Sequence, residues 1–326
     1  MRRRIFLGGL SSGTVAWQLI SGRLSAWAQM PPRIFRLGQL GNSPLAETLT
    51  RDITLPELAR LGFVEGRNLV FDARVGEPSA MTKIASDLLT TRPDAIVTIG
   101  PAALAATAAS SHTVPIVNFG ADPINLGLAE SYARPGRNVT GVVILANELE
   151  AKRLSVLHDL VPGRRRVAAL FLQTGNAGSE PAVRNAAASL GIEVLAFTVA
   201  APSDYPAAFA AMQAQAAQAL IIGAAPEFHR DAKLLASLAL EARLPTVCEW
   251  ADMARAGCLI GYGPSRVALR KRIADQIARI FRGAVPGEIP IERPTLFEFA
   301  LNRGIARSLG IDVPASLLAS ADEVFE

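Results

Sequence analysis

The chain has 326 residues, half of them apolar and only 19% charged, enough to bury more than one core and too apolar for long-range disorder. Four of its 33 basic residues, Arg2, Arg3, Arg4 and Arg23, fall in the first 28 positions, where no acidic residue occurs; beyond them 29 basic face 29 acidic residues. That balance excludes a nucleic-acid binder that works by neutralising phosphates, so no nucleic-acid partner is expected.

The first element is a leader. Arg2-Arg3-Arg4 precedes a mildly apolar stretch, Ile5 to Ile20, interrupted by Gly8, Gly9, Ser11, Ser12 and Gly13, and then comes Ala26-Trp27-Ala28. A charged start, a short apolar stretch and a small-x-small triplet make up a cleavable export signal. Residues 1–28 are therefore expected to be removed, leaving a soluble periplasmic or otherwise extracytoplasmic chain from about Gln29. Arg3-Arg4-Ile5-Phe6-Leu7 also fits a twin-arginine signal. An uncleaved anchor is the alternative, but the apolar stretch is short and broken.

From Arg33 onward, short apolar runs alternate with helix-length amphipathic stretches. Strands are expected at Ile34–Gly38, Asn68–Ala73, Asp94–Ile99 and Pro115–Phe119, with helices over 44–61, 81–90 and 101–110 between them. Arg134-Pro135-Gly136-Arg137-Asn138 punctuates a junction, and the rhythm then restarts. Strands are expected at 167–171, 193–197, 219–222, 245–248 and 258–262, and helices over 181–190, 205–217 and 229–242. A basic amphipathic helix, Arg266 to Arg282, follows with Val267, Ile273, Ile277 and Phe281 as its buried stripe and Arg270-Lys271-Arg272 as a solvated face. A strand at Phe297–Asn302 and a short helix complete the chain. Near-continuous apolar strands alternating with helices indicate an α/β protein of two Rossmann-like lobes, each a parallel sheet covered on both faces.

Cys248 ends one strand and Cys258 starts the next, which in a parallel sheet places them at opposite ends. Two buried free thiols are expected, although an oxidising compartment would permit pairing.

Ligands of open parallel sheets bind at the carboxyl ends of the strands. Gly100-Pro101-Ala102 is either an ordinary strand-to-helix turn or a helix N-terminus whose free N–H groups face a carboxylate. Asp122 accepts from a ligand ammonium or hydroxyl, or caps the next turn. Trp250 and Tyr262 stack on an apolar ligand, or belong to the core. Gln39 and Asn42, after the first strand, and Asn176 join this candidate set. Catalytic patterns are thin: the G-x-S-x-G match at Gly9–Gly13 falls in the leader, and His112, His158 and His229 are widely separated. No metal-ligand spacing, P-loop or dinucleotide fingerprint appears, so no metal, cofactor or enzymatic activity is expected.

Several segments carry a resemblance. Leu61-Gly62-Phe63-Val64-Glu65-Gly66-Arg67-Asn68-Leu69, Gly100-Pro101-Ala102-Ala103-Leu104-Ala105, Ala121-Asp122-Pro123 and the block Ala133 to Gly141 resemble the ABC-transporter substrate-binding protein family that includes aromatic-amino-acid binders. So do Glu148-Leu149 through Lys152-Arg153-Leu154, Tyr262-Gly263 and the ending Ala321 to Glu326. The resemblance runs from about Arg33 to Glu326. It implies the type I periplasmic-binding-protein fold with three interlobe crossovers, the first lobe holding 33–144 plus 262–289 and the second 145–261 plus 290–326. It also implies a monomer that delivers a small solute, such as an amino acid, to an ABC permease by hinge closure. Two segments depart from the family: Gln173 to Ala177 keeps only Asn176 of the usual pattern, and Ala225 replaces an acid in Gly223-Ala224-Ala225-Pro226. The alternatives are a ligand-sensing partner of a membrane receptor or kinase, and an exported enzyme on a related fold.

Overall fold

Apolar runs that alternate with amphipathic stretches become sheets sandwiched between helices, and the chain builds two such layers. The computed structural model describes residues 33–173 and 178–326, so the leader and Asn176 lie outside the described residues. Ile34–Glu326 forms one compact unit.

In the first half β1 (Phe35–Gly41), β2 (Leu69–Val75), β3 (Ala95–Ile99), β4 (Ile116–Gly120) and β5 (Val139–Val143) are joined through α1 (Pro44–Leu49), α2 (Leu55–Arg60), α3 (Met81–Leu89) and α4 (Pro101–Ser110). The strands are parallel, in the order β2-β1-β3-β4-β5. Side chains of β3 alternate between faces. Ile96 packs with Met81, Ala85 and Leu88 of α3, while Ala95, Val97 and Ile99 join the core on the other side. Between α1 and α2, Thr50–Thr54 forms a π-helical turn in which the N–H of Leu55 reaches back to Thr50 O. Pro56, next in line, has no N–H to offer, and a π turn absorbs that break without ending the helix.

The second half contains α5 (Ala146–Leu160), β6 (Arg166–Leu172), α6 (Ser179–Leu190), β7 (Glu193–Val199), α7 (Tyr205–Ala214), β8 (Ala219–Ile222), α8 (Pro226–Arg230), α9 (Ala232–Glu241), β9 (Thr246–Cys248), α10 (Ala251–Arg255) and β10 (Ile260–Pro264). Then come α11 (Arg266–Phe281), β11 (Phe297–Asn302), α12 (Arg303–Leu309), α13 (Ala315–Ser320) and β12 (Glu323–Phe325). The second sheet runs β12-β11-β10-β9-β8-β6-β7, so its stretch β7-β6-β8-β9-β10 repeats the order of the first sheet. β11 runs antiparallel to β10, while the other paired strands of this sheet run parallel.

Several expectations are corrected. The Arg134–Asn138 block precedes β5 rather than marking a junction, and the chain leaves the first sheet only after Val143. Tyr262 pairs with Phe299 in the second sheet, which the chain leaves after Pro264. α11 then packs on the first sheet, where Leu269, Ile273, Ile277 and Phe281 are buried, whereas Val267 is exposed. Residues 289–292 run beside β5, with Val143 N–H donating to Glu292 O (3.0 Å), before the chain returns to the second sheet at β11. Cys248 and Cys258 are not free: they form a disulfide, with Cα atoms 6.6 Å apart. β9 has only three residues, so its two ends lie about 7 Å apart, and the argument from opposite strand ends fails.

Candidate ligand-binding site

A cavity of about 660 Å³ opens at the carboxyl ends of both sheets. Its first wall includes Asn42, which follows β1, and Gly100 and Pro101, which follow β3. β1 and β3 flank the point where the strand order reverses, the place where open α/β sheets take ligands. Leu172, the last residue of β6, and Ala224, just after β8, occupy the matching place in the second sheet.

Gly100 has φ 85°, and a Cβ there would stand 3.3 Å from Pro226 Cγ of the second lobe. Glycine therefore serves both the left-handed turn and the close approach of the two halves. Pro101 opens α4, and the N–H groups of Ala102 and Ala103 in its first turn have no acceptor within the helix. Pro101 and Ala102 line the cavity. Asp122 does so as well, but both its oxygens are engaged: Oδ1 accepts from Ile124 N–H (2.9 Å) and Oδ2 from the Tyr132 hydroxyl (2.8 Å). The turn-capping role thus coexists with a place in the wall. Burial first, and the Asp122 carboxylate second, push the Tyr132 phenol above its ordinary value.

The second wall rests on a buried arginine. Arg153 Nε donates to Tyr262 O (2.8 Å) and Nη2 to Glu249 O (3.4 Å), while Glu150 Oε1 accepts from Ala224 N–H (2.8 Å). Gly261 and Gly263 of β10 make this packing possible, because a Cβ on either would collide with the backbone of Trp250 or Glu249. The Glu249–Trp250 turn therefore lies directly on the strand, pinned at its start by the Cys248 disulfide. Trp250 is buried, stacks with Phe119 of the first lobe (6.5 Å between centroids) and lies under the Arg266 guanidinium (4.3 Å). Glu249 faces the same cavity, and burial pushes its carboxyl up to about 7, against the pull of Arg153.

α11 supplies residues that the sequence reading placed elsewhere. Arg270, expected on a solvated face, is 3% exposed and lines the cavity beside Arg266. The two are four residues apart and fall on the same helical stripe as Ile273 and Ile277, so the helix that buries its apolar stripe buries them too. That phase was the signal available in the sequence. Lys271 and Arg272, on the other side, are exposed. Arg270 Nη1 donates to Thr50 Oγ1 (2.8 Å), whose hydroxyl in turn donates to Gln39 Oε1 (2.5 Å). Gln39 is therefore a buried support behind the wall and does not line the cavity. Tyr262 does not line it either: its ring packs between Phe297 and Phe299 in the second sheet.

Polar contacts cross between the halves. Asn42 Nδ2 donates to Glu227 Oε1 (2.6 Å), and Arg266 Nη1 donates to Asp252 Oδ2 (2.8 Å) with His229 Nε2 at 3.0 Å. Burial raises the Glu227 carboxyl and lowers the His229 imidazole relative to their ordinary values. Ala225, where the resemblance implies an acid, lines the cavity. Among the described residues, no group of three or more His, Cys, Asp or Glu could hold a metal ion, and no helix is long and apolar enough to cross a membrane.

A family model described as ABC transporter substrate binding protein matches residues 51–325. No curated protein sequence matches the chain. Among solved structures, a conserved domain protein from Vibrio cholerae O1 biovar eltor is 23% identical, with a TM-score of 0.82 over 90% of this chain and 99% of that one. The ABC domain in complex with L-Trp from Streptococcus pneumoniae is 21% identical, with a TM-score of 0.81 over 90% and 100%. A substrate binding protein with adhesive properties from Clostridium difficile, in a ligand-free, open structure, is 18% identical, with a TM-score of 0.66 over 90% and 99%. Together with the two repeated strand orders, these likenesses show the type I periplasmic-binding-protein fold.

Proposed function

This chain belongs to the ABC transporter substrate-binding protein family, and from that premise we propose that it is an extracytoplasmic protein that holds a small molecule between two lobes and presents it to an ABC permease. One half carries β1–β5 with α11; the other carries β6–β12. The observation that supports this reading best is a single cavity lined from both halves at their matching strand ends, with Asn42–Glu227 and Arg266–Asp252 bonded across it. A molecule in that position touches both halves at once, so it favours closure by its differential affinity for the closed form. Closure is then what a permease reads.

Asn42, Gly100, Pro101, Ala102, Asp122 and Trp250 are the wall residues we assign to the ligand. The first turn of α4 faces its anionic end, Asp122 with Tyr132 a donor group, and Trp250 its apolar body. One chain supplies both walls, so a monomer suffices. The buried Cys248–Cys258 disulfide suits an oxidising compartment outside the cytoplasm. The family is one of substrate-binding proteins, and binding without turnover is the reading.

Mass spectrometry of compounds retained through native purification would identify the ligand, and scattering with and without it would report closure. Calorimetry should then give weaker binding for Asp122→Ala than for the wild type. Unchanged affinity would remove Asp122 from the site, and a protein that retains nothing and never changes shape with any solute would sink the binding reading.

A further inference from the structure

Arg270 is a buried guanidinium with almost nothing to neutralise it. Among the described residues its one hydrogen-bond partner is the neutral Thr50 hydroxyl, and its Nε has no partner. Among the described residues no carboxylate lies within ion-pair distance of it. The face of Phe119 lies 5.0 Å from it, and Arg266 adds a second positive charge nearby. Arg266 has its own carboxylate in Asp252, yet among the described residues its Nη2 is also without a partner. Both side chains line the cavity. A charge kept out of water without a counter-ion destabilises the fold, and such a cost persists where binding uses it.

We propose that Arg270, flanked by Arg266 and the first turn of α4, is the anion receptor of this cavity, and that the molecule held there is an organic acid: a carboxylate on an apolar body. This deepens the binding-protein reading and rests on it. A guanidinium presents a fork of N–H donors that matches a carboxylate, and the free Nε of Arg270 is one tine of that fork. Met81, Ile99, Phe119, Leu172 and Trp250 offer apolar surface for the rest of the molecule. A neutral polyol would leave the Arg270 charge uncompensated. An amine would face the Arg266 and Arg270 charges; of the four carboxylates that line the cavity, burial favours the neutral forms of Glu227 and Glu249, Asp122 already accepts from Ile124 and Tyr132, and Glu148 is exposed to water.

Three probes with one skeleton separate these classes: 3-phenylpropanoate, 3-phenylpropan-1-ol and 3-phenylpropylamine. Calorimetry and thermal unfolding of the purified protein should show the acid binding at least about tenfold tighter than the alcohol, and the amine weakest. Arg270→Met should weaken the acid about a hundredfold while leaving the alcohol unchanged. The same substitution should raise the melting temperature of the ligand-free protein, because it removes an uncompensated buried charge; a merely structural arginine would lower it. Should the methionine variant fail to fold, Arg270→Lys keeps the charge without the fork and should bind the acid about tenfold more weakly than the wild type.

Equal binding of acid and alcohol by the wild type, tightest binding of the amine, or undiminished acid binding by Arg270→Met would overturn the proposal. If no probe binds, the compound retained through native purification decides. An acid present in the wild type and missing from Arg270→Met supports the inference, whereas a neutral or cationic compound overturns it alone. No retained compound and no binding probe would overturn the binding-protein reading and this inference together.

Discussion

Glu249→Gln should stabilise the ligand-free protein at neutral pH and remove a defined part of its pH dependence. Glu249 is 4% exposed, and burial pushes its carboxyl from 4.5 to about 7. The folded state therefore holds its proton more tightly than the unfolded state. Its contribution to stability is fully present below the unfolded value and is lost as pH rises to about 7. At roughly 1.4 kcal/mol per unit, the loss is on the order of 3 kcal/mol. Glutamine keeps the shape and carries no charge, and the bond from Arg153 goes to the backbone carbonyl of residue 249, which the substitution leaves in place.

Urea unfolding of wild type and variant at several pH values between about 4.5 and 7.5 reads the effect directly. Other groups titrate in the same range. The lowered His229 imidazole works in the opposite sense, costing stability as pH falls below its unfolded value, and the raised Glu150 and Glu227 work in the same sense as Glu249. The quantity to follow is therefore the difference between variant and wild type, which should grow by about 3 kcal/mol as the pH rises through this window. A difference that stays constant with pH would refute the assignment of a protonated Glu249 to the folded state.

Asp252→Asn removes the carboxylate that pairs with Arg266, whose side chain is buried although that of Asp252 is 47% exposed, so the cost should lie at about 1–2 kcal/mol, between surface and buried pairs. The pair joins the two halves, so that cost falls on the closed form and ligand affinity should drop about 5- to 30-fold in calorimetry; undiminished affinity would deny it a part in closure. Replacing both Cys248 and Cys258 with Ser should lower stability by about 2–3 kcal/mol, as reductant does to the wild type. Identical unfolding curves for wild type and double variant would show that the disulfide constrains nothing.

Elements governed by local rules were legible in the sequence. A β-branched, almost wholly apolar run gives β3, and Pro101 after Gly100 opens α4, because each depends on residues within a few positions. Elements governed by distant partners were not. The antiparallel direction of β11 is set by pairing Tyr262 with Phe299, and β5 carries Gly141, a residue that argues against a strand until the backbone of Asn118 is seen beside it. The disulfide was hidden for the same reason: whether two cysteines meet depends on the length and register of strands that spacing alone leaves open.

For the candidate site, the position of a residue relative to its strand end explains which expectations reach the cavity. Asn42, Gly100, Asp122 and Trp250 all lie just beyond the last residue of β1, β3, β4 or β9, and all four line it. Gln39 and Tyr262 lie within β1 and β10; their side chains are committed to the packing of the sheet, so they support the walls instead of forming them. Arg266 and Arg270 obey a different rule, helical phase. The Arg270-Lys271-Arg272 run suggests a solvated face, but the angular positions of Arg266 and Arg270 on α11 match those of Ile273 and Ile277. A charge that shares the buried stripe of a helix must meet a counter-ion, another lobe or a ligand. Here Arg266 meets Asp252 of the opposite lobe, and Arg270 faces the cavity.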